Sequence, residues 1–352
     1  MATDSLELKH VGAPVSRRRK RSPRSRPRLG FAGLGWIGRN RMEALARSGL
    51  VDIVALADSV PDTIRDAARH LPAAALLSSF EELLSVEMDG VVIATPSALH
   101  AAQAEEALER GLAVFCQKPL GRNEAETARV IETARRKDRL LGVDLSYRFI
   151  TCLRELHALC RGGELGEIYA ADLMFHNAYG PDKPWFYDQK LSGGGCVIDL
   201  GIHLVDLALW NLGFPEVKKV TSHLFSQGKP WHADSGQVED YAVATLNLEN
   251  GATIRLACSW KLPAGCDAII TGSFFGTKGG AAFRNLDGSF YDFEAERFRG
   301  TTRQKLSCFL EQWGGRAAVH WAEQLAGGGD FAPEIETLRR VAAALDAIYQ
   351  NA

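Results

Sequence analysis

Three side chains in two distant segments could do chemistry together: Lys118, Asp199 and His203. The lysine lies in CQKPLG, directly after a short apolar run, and the other two lie in the glycine-led segment SGGGCVIDLGIHLVDLALW. If that segment is helical, Asp199, His203 and Asp206 share a face, because residues three and four apart on a helix are neighbours. A polar stripe in an apolar helix is costly unless polar groups face it, and a hydroxylated substrate would do so. The combination favours a site for a polar small molecule; taken singly, a solvated lysine and a hydrogen-bonded core histidine are the alternatives.

An α/β arrangement with a Rossmann-type doubly wound parallel sheet is predicted for the first part of the chain. From Leu29 to about Ser146, short apolar or β-branched runs alternate with helical patterns, which is typical of βα units. The predicted strands span residues 29–34, 51–57, 74–78, 90–94, 113–116 and 140–144, and the predicted helices span 37–48, 61–70, 80–87, 98–110 and 123–137. Lys118 then follows the fifth strand at the carboxyl edge of the sheet, where such folds bind ligands.

The pattern changes after Tyr147, and an α+β domain with a large, mostly antiparallel open sheet is predicted for residues 148–352. A helix over about 150–161 leads into long alternating runs, GEIYAADLMFHNA, VEDYAVATLNLENGATIRLACSW, DAIITGSFFG and GSFYDFEAERF. TLNL and TIRLACSW, joined by ENGA, predict a hairpin. The last stretch, EIETLRRVAAALDAIYQ, has helical spacing and is predicted to pack back on a domain face, which could be that of the first domain.

A dinucleotide site is predicted at the first strand-to-helix turn, within a first domain that spans residues 29–147. Gly33, Gly35 and Gly38 form GxGxxG: the first permits a tight turn, the second lets the backbone approach a pyrophosphate, and the third allows helix and strand to pack closely. The helix N-terminus offers free amides to the phosphates. Asp58 ends the second strand, where a carboxylate accepts hydrogen bonds from ribose hydroxyls. This carboxylate would repel a 2′-phosphate, so NAD is favoured and NADP stays possible; capping of the following helix is an alternative role.

Further contacts are predicted from position around this edge of the sheet. Aromatic faces suit the apolar side of a sugar ring, although aromatic residues more often pack in cores, and a histidine at a helix start often caps or packs. The predicted cofactor-binding residues are Gly33, Gly35, Trp36, Ile37, Gly38, Asp58, Thr95, Pro96, His100, Gln117 and Lys118. The predicted substrate-binding residues are Tyr147, Arg148, Trp185, Tyr187, Asp199 and His203, with Phe186 beside them.

Charge is distributed unevenly along the chain. The formal net charge is −2, but residues 1–28 carry nine Lys or Arg against Asp4 and Glu7, which leaves the remainder near −9. An acidic body does not favour nucleic-acid binding. Because SRRRKRSPRSRPR lacks apolar periodicity, residues 1–28 are predicted to be a disordered basic tail. A twin-arginine export signal and a start of translation further downstream are alternatives.

No membrane span, disulfide framework or metal site is predicted. Every apolar run is shorter than the ~20 residues that cross a bilayer. Seven cysteines are scattered without a CxxC pair or a zinc-type spacing, which favours reduced thiols in the cytoplasm.

The chain resembles the glucose-fructose oxidoreductase, inositol dehydrogenase and MocA family. The matching pieces run from Leu29 nearly to the C-terminus and comprise GLGWIG with Asp58, ATPSALH, QKPLG, GGGCVIDLGIHLVD, VEDYA before a strand, and FFGTKGG. The resemblance implies a Rossmann domain followed by an α/β domain, and homodimers or homotetramers formed through the open sheet. It also implies NAD(P)-dependent oxidation or reduction of sugars, cyclitols or related polyols.

The resemblance implies that Lys118, Asp199 and His203 are the catalytic residues, because they occupy the positions of the family's catalytic residues. The resemblance implies that His203 accepts the hydroxyl proton as hydride leaves for the nicotinamide, and that Lys118 stabilises the developing alkoxide. Asp199 would orient a substrate hydroxyl or the imidazole. One departure is Gln117, where relatives commonly have Glu. An amide keeps the hydrogen-bonding shape but removes a negative charge that would favour the protonated lysine.

Two other functions are compatible with the same fold. A non-catalytic NAD(P)-binding regulatory protein would not need all three catalytic residues. An NAD-dependent glycosidase would oxidise its substrate only transiently. Net reduction of free NAD by a polyol distinguishes the dehydrogenase from both.

Overall fold

The computed structural model describes residues 26–69, 71–307 and 310–352, and its first sheet consists of the apolar runs near the N-terminus. Among the described residues its strands are β1 (Arg28–Ala32), β2 (Asp52–Ala57), β3 (Ala75–Leu77), β4 (Gly90–Ile93), β5 (Ala113–Cys116) and β6 (Leu141–Val143). All pair in parallel, in the order β3-β2-β1-β4-β5-β6. Every residue of β4 and β5 is buried, as expected of strands covered on both faces. The predicted doubly wound sheet is confirmed.

The connections of this sheet are helical, as predicted, but two of the helices end earlier than predicted. The helices are α1 (Trp36–Ser48), α2 (Pro61–Ala68), α3 (Phe80–Leu83), α4 (Ser97–Glu109) and α5 (Glu124–Lys137). The prediction of a helix to residue 87 is wrong, because α3 ends at Leu83. The amides of Ser85 and Val86 donate to carbonyls three residues back, so the backbone continues in tight turns instead. The helix predicted to residue 70 ends at Ala68.

The second sheet is large and mostly antiparallel, which confirms that part of the fold class. Its strands among the described residues are β7 (Ile168–Asn177), β8 (Val217–Ser226), β9 (Lys229–Pro230), β10 (Tyr241–Leu248), β11 (Thr253–Ser259), β12 (Ala268–Gly276), β13 (Gly280–Asn285), β14 (Phe293–Arg299) and β15 (Thr302–Lys305). Their order is β15-β14-β13-β12-β7-β11-β10-β8-β9, and only β7 and β11 pair in parallel. The predicted hairpin is β10 with β11, in antiparallel register.

Helices cover one face of this second sheet. The remaining α-helices of the described residues are α6 (Thr151–Arg161), α7 (Gln189–Ser192), α8 (Ile202–Leu212), α9 (Arg316–Ala326) and α10 (Thr337–Gln350), and a π-helical turn, Val197–Gly201, leads directly into α8. Of these, α6 packs on β13 and β14, α8 on β7 and β11, and α10 on β8. Buried and half-buried residues alternate along β10, so the core lies under the helices and the opposite face stays partly open.

Two C-terminal helices contact the first domain. α9, which was not predicted, packs on α1, β5 and β6, and its Trp321 ring lies 5.8 Å from that of Phe115. α10 packs on α5 of the first domain and on α8 and β8 of the second. This agrees with the expectation that the last helix packs back on a domain face.

The N-terminal boundary needs a small correction. Residues 1–25 of the predicted tail lie outside the described residues, as does Cys308. Arg28, however, begins β1, and its amide donates to Asp89 Oδ2 at 2.8 Å. The ordered fold therefore includes a residue that was assigned to the tail.

One helical stretch of the described residues is long and apolar enough to cross a membrane, Gln189–Leu212. However, 78% of its most apolar window is buried inside the protein. It contributes to the core of the second domain and carries two of the predicted catalytic residues, Asp199 and His203.

Candidate active site

The GxGxxG loop joins β1 to α1, and the space around each of its three glycines is different. Gly33 has a φ of +86°, and a Cβ there would lie 2.4 Å from the Ala94 carbonyl oxygen after β4. A Cβ on Gly38 would lie 2.0 Å from the Gly33 carbonyl oxygen, so the helix could not pack on the loop. A Cβ on Gly35 would meet nothing within 4 Å. The open space beside Gly35 fits a pyrophosphate that approaches the backbone.

The start of α1 and Asp58 supply polar groups to this space. No side chain of the described residues caps α1 at Gly35, so its first-turn amides remain suited to an anion. Asp58 accepts hydrogen bonds from the amides of Leu34 (2.7 Å) and Val60 (2.9 Å). Its carboxylate offers about four acceptor positions, so it can hold the loop and still bind ribose hydroxyls. The alternative role is wrong, because Val60 is the N-cap of α2 and that helix has no side-chain cap.

Thr95 and Pro96, two of the predicted cofactor-binding residues, lie just after β4 beside the glycine loop. His100 is buried, and its two ring nitrogens each lie 2.7 Å from a backbone oxygen, of Thr95 and of Pro119. Because both nitrogens already have partners, these contacts do not support the predicted cofactor contact of His100. The ring instead joins this strand end to the loop that carries Lys118.

Gln117 takes part in a buried network. Its side-chain amide donates to Asp144, which also accepts from the Arg41 guanidinium and the Ser146 hydroxyl. Asp144 and Arg41 are only 1% and 6% exposed. The negative charge that residue 117 lacks is therefore present in the same network, on Asp144.

Lys118 is paired across the domains. Its ammonium donates to Asp199 twice, to Oδ1 and to the backbone oxygen, both at 2.7 Å. The other carboxylate oxygen of Asp199 accepts from the Trp260 indole nitrogen at 3.0 Å. Among the described residues, the Asp199 carboxylate accepts hydrogen bonds from Lys118 and Trp260 and not from His203. Of the two roles predicted for Asp199, orientation of the imidazole therefore has no support here.

His203 is half-buried, and its ring packs on Tyr147, with ring centroids 4.8 Å apart. Desolvation, then the Lys118 ammonium and the Arg41 guanidinium, hold the pKa of His203 well below its usual range. The imidazole is therefore neutral at pH 7 and can accept a proton. Lys118 bonds Asp199, which lies four residues before His203 on the same helix.

The glycine-led segment is helical, as predicted, but its first turn is wider than an α-helical turn. Asp199 lies in the π-helical turn Val197–Gly201, and His203 lies in the first turn of α8. Single π-helical turns occur frequently at functional sites. Both side chains therefore come from the same end of one continuous helix.

Asp206 does not extend the polar stripe into the site. It is buried and accepts two hydrogen bonds from the Arg148 guanidinium, one of them at 2.9 Å. The same guanidinium lies over the rings of Trp210 and Phe214, at 5.7 and 5.4 Å from the centroids. Because two nitrogens and the flat face of the Arg148 guanidinium are engaged by Asp206, Trp210 and Phe214, these contacts do not support its predicted substrate contact.

Tyr147 belongs to an aromatic cluster beneath His203. Its ring centroid lies 5.3 Å from that of Trp313 and 5.8 Å from that of Phe293. Burial, and then the charge of Asp199, raise the pKa of Tyr147 above its usual value, so the phenol stays neutral. Its clearest contribution is to support the imidazole by packing.

The predicted aromatic contacts at residues 185–187 gather around Trp260. Trp185 stacks on Phe186 at 3.8 Å between centroids, and Phe186 and Tyr187 pack edge-on against Trp260 at 6.4 and 5.7 Å. Trp260 bonds Asp199, so the rings of Phe186 and Tyr187 reach the Lys118–Asp199 pair through Trp260. Substrate contacts by Trp185 and Tyr187 stay predictions.

The sequence did not single out Trp260, Arg41 or Asp144, although the structure gives each a place around the site. Arg41 carried a usable signal, because a charged residue on the buried side of α1 requires a partner. The others had none: Trp260 follows an ordinary strand, and only contacts between distant segments give it a role.

Two family profiles match most of the chain. Residues 28–145 match the profile described as "Oxidoreductase family, NAD-binding Rossmann fold". Residues 153–282 match the "GFO/IDH/MocA C-terminal domain". The chain belongs to the GFO/IDH/MocA oxidoreductase family. The resemblance seen in its motifs is confirmed, and the glycine loop lies in an NAD-binding Rossmann domain.

Relatives of this GFO/IDH/MocA protein include enzymes named for carbohydrate substrates. D-glucoside 3-dehydrogenase of Escherichia coli (strain K12) is 34% identical over 209 residues, which are 56% of this chain and 60% of that protein. The rhizopine catabolism protein MocA of Rhizobium meliloti is 30% identical over 265 residues, 74% of this chain and 79% of that protein. Levoglucosan dehydrogenase in complex with NADH has the same fold, with a TM-score of 0.80 at 20% identity over 93% of this chain and 97% of that one.

Proposed function

We propose that this chain is an NAD(P)-dependent dehydrogenase that transfers a hydride between nicotinamide and a carbinol carbon of a sugar, cyclitol or related polyol. The observation that carries the proposal is the 2.7 Å contact of Lys118 with Asp199, which lies four residues before His203 on the same helix. Alcohol oxidation needs a group that accepts the hydroxyl proton and a cation that stabilises the oxygen as charge develops. Both groups lie at the carboxyl edge of the Rossmann sheet.

Each side chain of the site has a distinct task in this proposal. His203 accepts the proton of the substrate hydroxyl, since its lowered pKa keeps it unprotonated at pH 7. Lys118 donates a hydrogen bond to the same oxygen. Asp199 holds the ammonium and can accept a hydrogen bond from a neighbouring hydroxyl. Bound NAD(P) supplies the hydride acceptor, and Asp58 favours NAD by repelling a 2′-phosphate.

The substrate class follows from the lining of the site and from the relatives. The site combines charged and polar groups with the aromatic rings that gather around Trp260, a combination that suits a hydroxylated ring with an apolar face. The relatives named D-glucoside 3-dehydrogenase and myo-inositol 2-dehydrogenase act, by their names, on such rings.

The proposal is tested with a panel of cyclitols, aldoses and glycosides, each with NAD and with NADP, by following nicotinamide absorbance. We expect net reduction of the cofactor by at least one polyol, and a fall of kcat by about 10²–10⁴-fold in His203→Ala, because the proton acceptor is lost. His320→Ala, which removes an exposed histidine of α9, is the matched control and should keep the rate within about twofold.

Three results would contradict the dehydrogenase. Cofactor binding without reduction by any polyol would favour a regulatory protein. Hydrolysis of a glycoside without net reduction would favour the NAD-dependent glycosidase. A His203→Ala variant with the parental rate would show that another group accepts the proton.

We also propose how the molecule is organised: residues 29–147 bind the cofactor, residues 148–352 bind substrate and partner subunits, and the enzyme is cytoplasmic. Helices cover only one face of the second sheet, which leaves the other face for a second copy in a homodimer or homotetramer. The six cysteines of the described residues are free thiols, which suits a reducing compartment.

A further inference from the structure

We propose that Glu239, in the motif VEDYA, is a positioning residue for the active site. Its buried carboxylate holds the glycine-led segment so that Asp199 and His203 face Lys118, and Tyr349 near the end of α10 holds the carboxylate. We refer to Glu239 and Tyr349 together as the clamp. The inference rests on the proposed function of the site, and the clamp acts through the backbone rather than by touching the reacting groups.

Three consecutive backbone amides at the start of the π-helical turn donate to Glu239. The Cys196 amide donates to its backbone oxygen at 3.0 Å, and the Val197 amide donates to Oε1 at 2.9 Å. The Gly195 amide lies 3.0 Å from both carboxylate oxygens. Amides at a helix start have no partner within the helix, and negative charge is favoured there. The carboxylate thus satisfies donors that would otherwise be buried and unpaired.

The clamp explains why this segment contains a run of glycines. A Cβ on Gly195 would lie 1.9 Å from the Glu239 carbonyl oxygen, and a Cβ on Gly194 would lie 2.0 Å from the Tyr349 hydroxyl oxygen. Gly193 has a φ of +88°, which disfavours other residues. Two of the three glycines are therefore required by the two residues of the clamp, and the third by the turn that leads to them.

The clamp connects to the proposed chemistry through one further bond. The Asp199 amide donates to the Gly195 carbonyl oxygen at 3.1 Å, so the turn that carries Asp199 starts from a clamped residue. Lys118 then meets Asp199 at two oxygens. A displacement of about 1 Å at a reacting group can cost roughly 10²-fold in rate, so small shifts of this segment matter.

The clamp depends on the charge state of Glu239, which is fully buried. The titratable groups that act on it are the Tyr349 hydroxyl (2.8 Å) and the Cys196 thiol, and the Cys258 thiol lies behind Cys196 at 3.8 Å between sulfurs. No ion pair to Glu239 is found among the described residues. Desolvation raises the pKa of Glu239 to about 7, against the amide and phenol hydrogen bonds, which lower it. The ionised carboxylate accepts every bond, whereas protonation converts one oxygen into a donor. The clamp is therefore complete above about pH 7 and weakens below it.

The experiment compares kcat across pH for Glu239→Gln and Tyr349→Phe in the full chain. In the parent we expect kcat to fall on the acid side near pH 7. In Glu239→Gln we expect kcat to be roughly 10–100-fold lower and this acid limb to be absent, with the dissociation constant of NAD unchanged. Tyr349→Phe removes a bond that lowers the pKa of Glu239, so its acid limb should move to higher pH and its kcat should fall by roughly 5-fold.

Asp240→Asn is the matched control, because the neighbouring carboxylate bonds the Gln227 amide rather than the glycine segment. It should keep the parental kcat and acid limb. The proposal is overturned if Tyr349→Phe and Glu239→Gln both retain the parental profile, or if Asp240→Asn loses as much rate as Glu239→Gln. If circular dichroism shows that Glu239→Gln is unfolded, Tyr349→Phe decides alone.

Hydrogen exchange separates this inference from the proposed function. The backbone amide hydrogens of residues 194–199 should exchange faster in both clamp variants than in Asp240→Asn, as measured by mass spectrometry without substrate. If the parent reduces no cofactor with any polyol, the proposed function fails, and this measurement alone judges the clamp. Faster exchange then supports it, and parental exchange in both variants overturns it.

Discussion

Lys118 and Arg41 are the two cations whose charges act on His203, and each is paired with a carboxylate. Lys118 bonds Asp199, and Arg41 bonds Asp144 inside the protein. Together with desolvation they hold the pKa of His203 well below its usual range. A buried cation without a partner would be costly, so the carboxylates allow positive charge to stay beside a neutral imidazole.

The hydrogen bond from the Gln117 side-chain amide to Asp144 leads to a prediction. Gln117→Glu should lower the free energy of unfolding by on the order of 2 kcal/mol, because two carboxylates would then meet one Arg41 guanidinium in a buried network. Adding Asp144→Asn should recover most of the loss, since one carboxylate and one amide again face the arginine. Urea unfolding measures both variants.

The control for this pair is Gln324→Glu, an exposed change on α9 that should alter stability by less than about 0.5 kcal/mol. Equal stability of Gln117→Glu and the parent would contradict the prediction. So would a double variant no more stable than the single one.

At the scale of elements, α9 shows how a helix from the end of the chain completes the first domain. Trp321 is 2% exposed and lies over two strand glycines. A Cβ on Gly142 would lie 2.7 Å from its indole, and a Cβ on Gly90 would lie 3.0 Å from it. The glycines of β4 and β6 therefore make the space that this side chain fills.

Trp321→Ala should consequently lower the free energy of unfolding by about 3–5 kcal/mol, because a large buried side chain is replaced by a cavity. Trp321→Phe should cost less, since its ring refills part of the space and no buried indole N–H remains unpaired. Chemical denaturation gives both values. Trp36→Ala, at a tryptophan that is 67% exposed, should stay within about 0.5 kcal/mol, and a similar loss there would contradict the cavity explanation.

At the scale of the whole molecule, the described helices pack on one face of the second sheet. Met174, Ala257 and Val243 lie side by side on its open face and are half-buried in the single chain. A row of apolar residues on a large, flat sheet is the kind of surface that a second copy covers. This supports assembly of the proposed oligomer through that face.

Val243→Glu should therefore convert the oligomer into monomers, because a carboxylate in an apolar interface would be buried without a partner. Light scattering coupled to size-exclusion chromatography measures the mass directly. Leu310→Glu, at a residue that is 84% exposed, should leave the assembly intact. A monomeric parent, or an unchanged mass for Val243→Glu, would argue against this interface.

The sequence by itself determined the types and order of most elements, the glycine loop and the carboxylate after β2. These depend on local periodicity and on turns, which neighbouring residues specify. It did not reveal α9, whose short helical pattern lies between glycine-rich stretches, or the early end of α3. Element boundaries are settled by capping and packing, which a periodic pattern does not contain.

Only the tertiary structure decided which polar groups meet. Lys118 and Asp199 are 81 positions apart, and Arg148 and Asp206 are 58 apart, yet each pair is in contact. Residue types and spacing placed Lys118 and Asp199 in one site without predicting their bond, and they gave no sign that Arg148 pairs with Asp206. Hydrogen bonds act over about 3 Å, so their partners are set by how helices and sheets pack, and the Glu239 clamp is visible only once that packing is known.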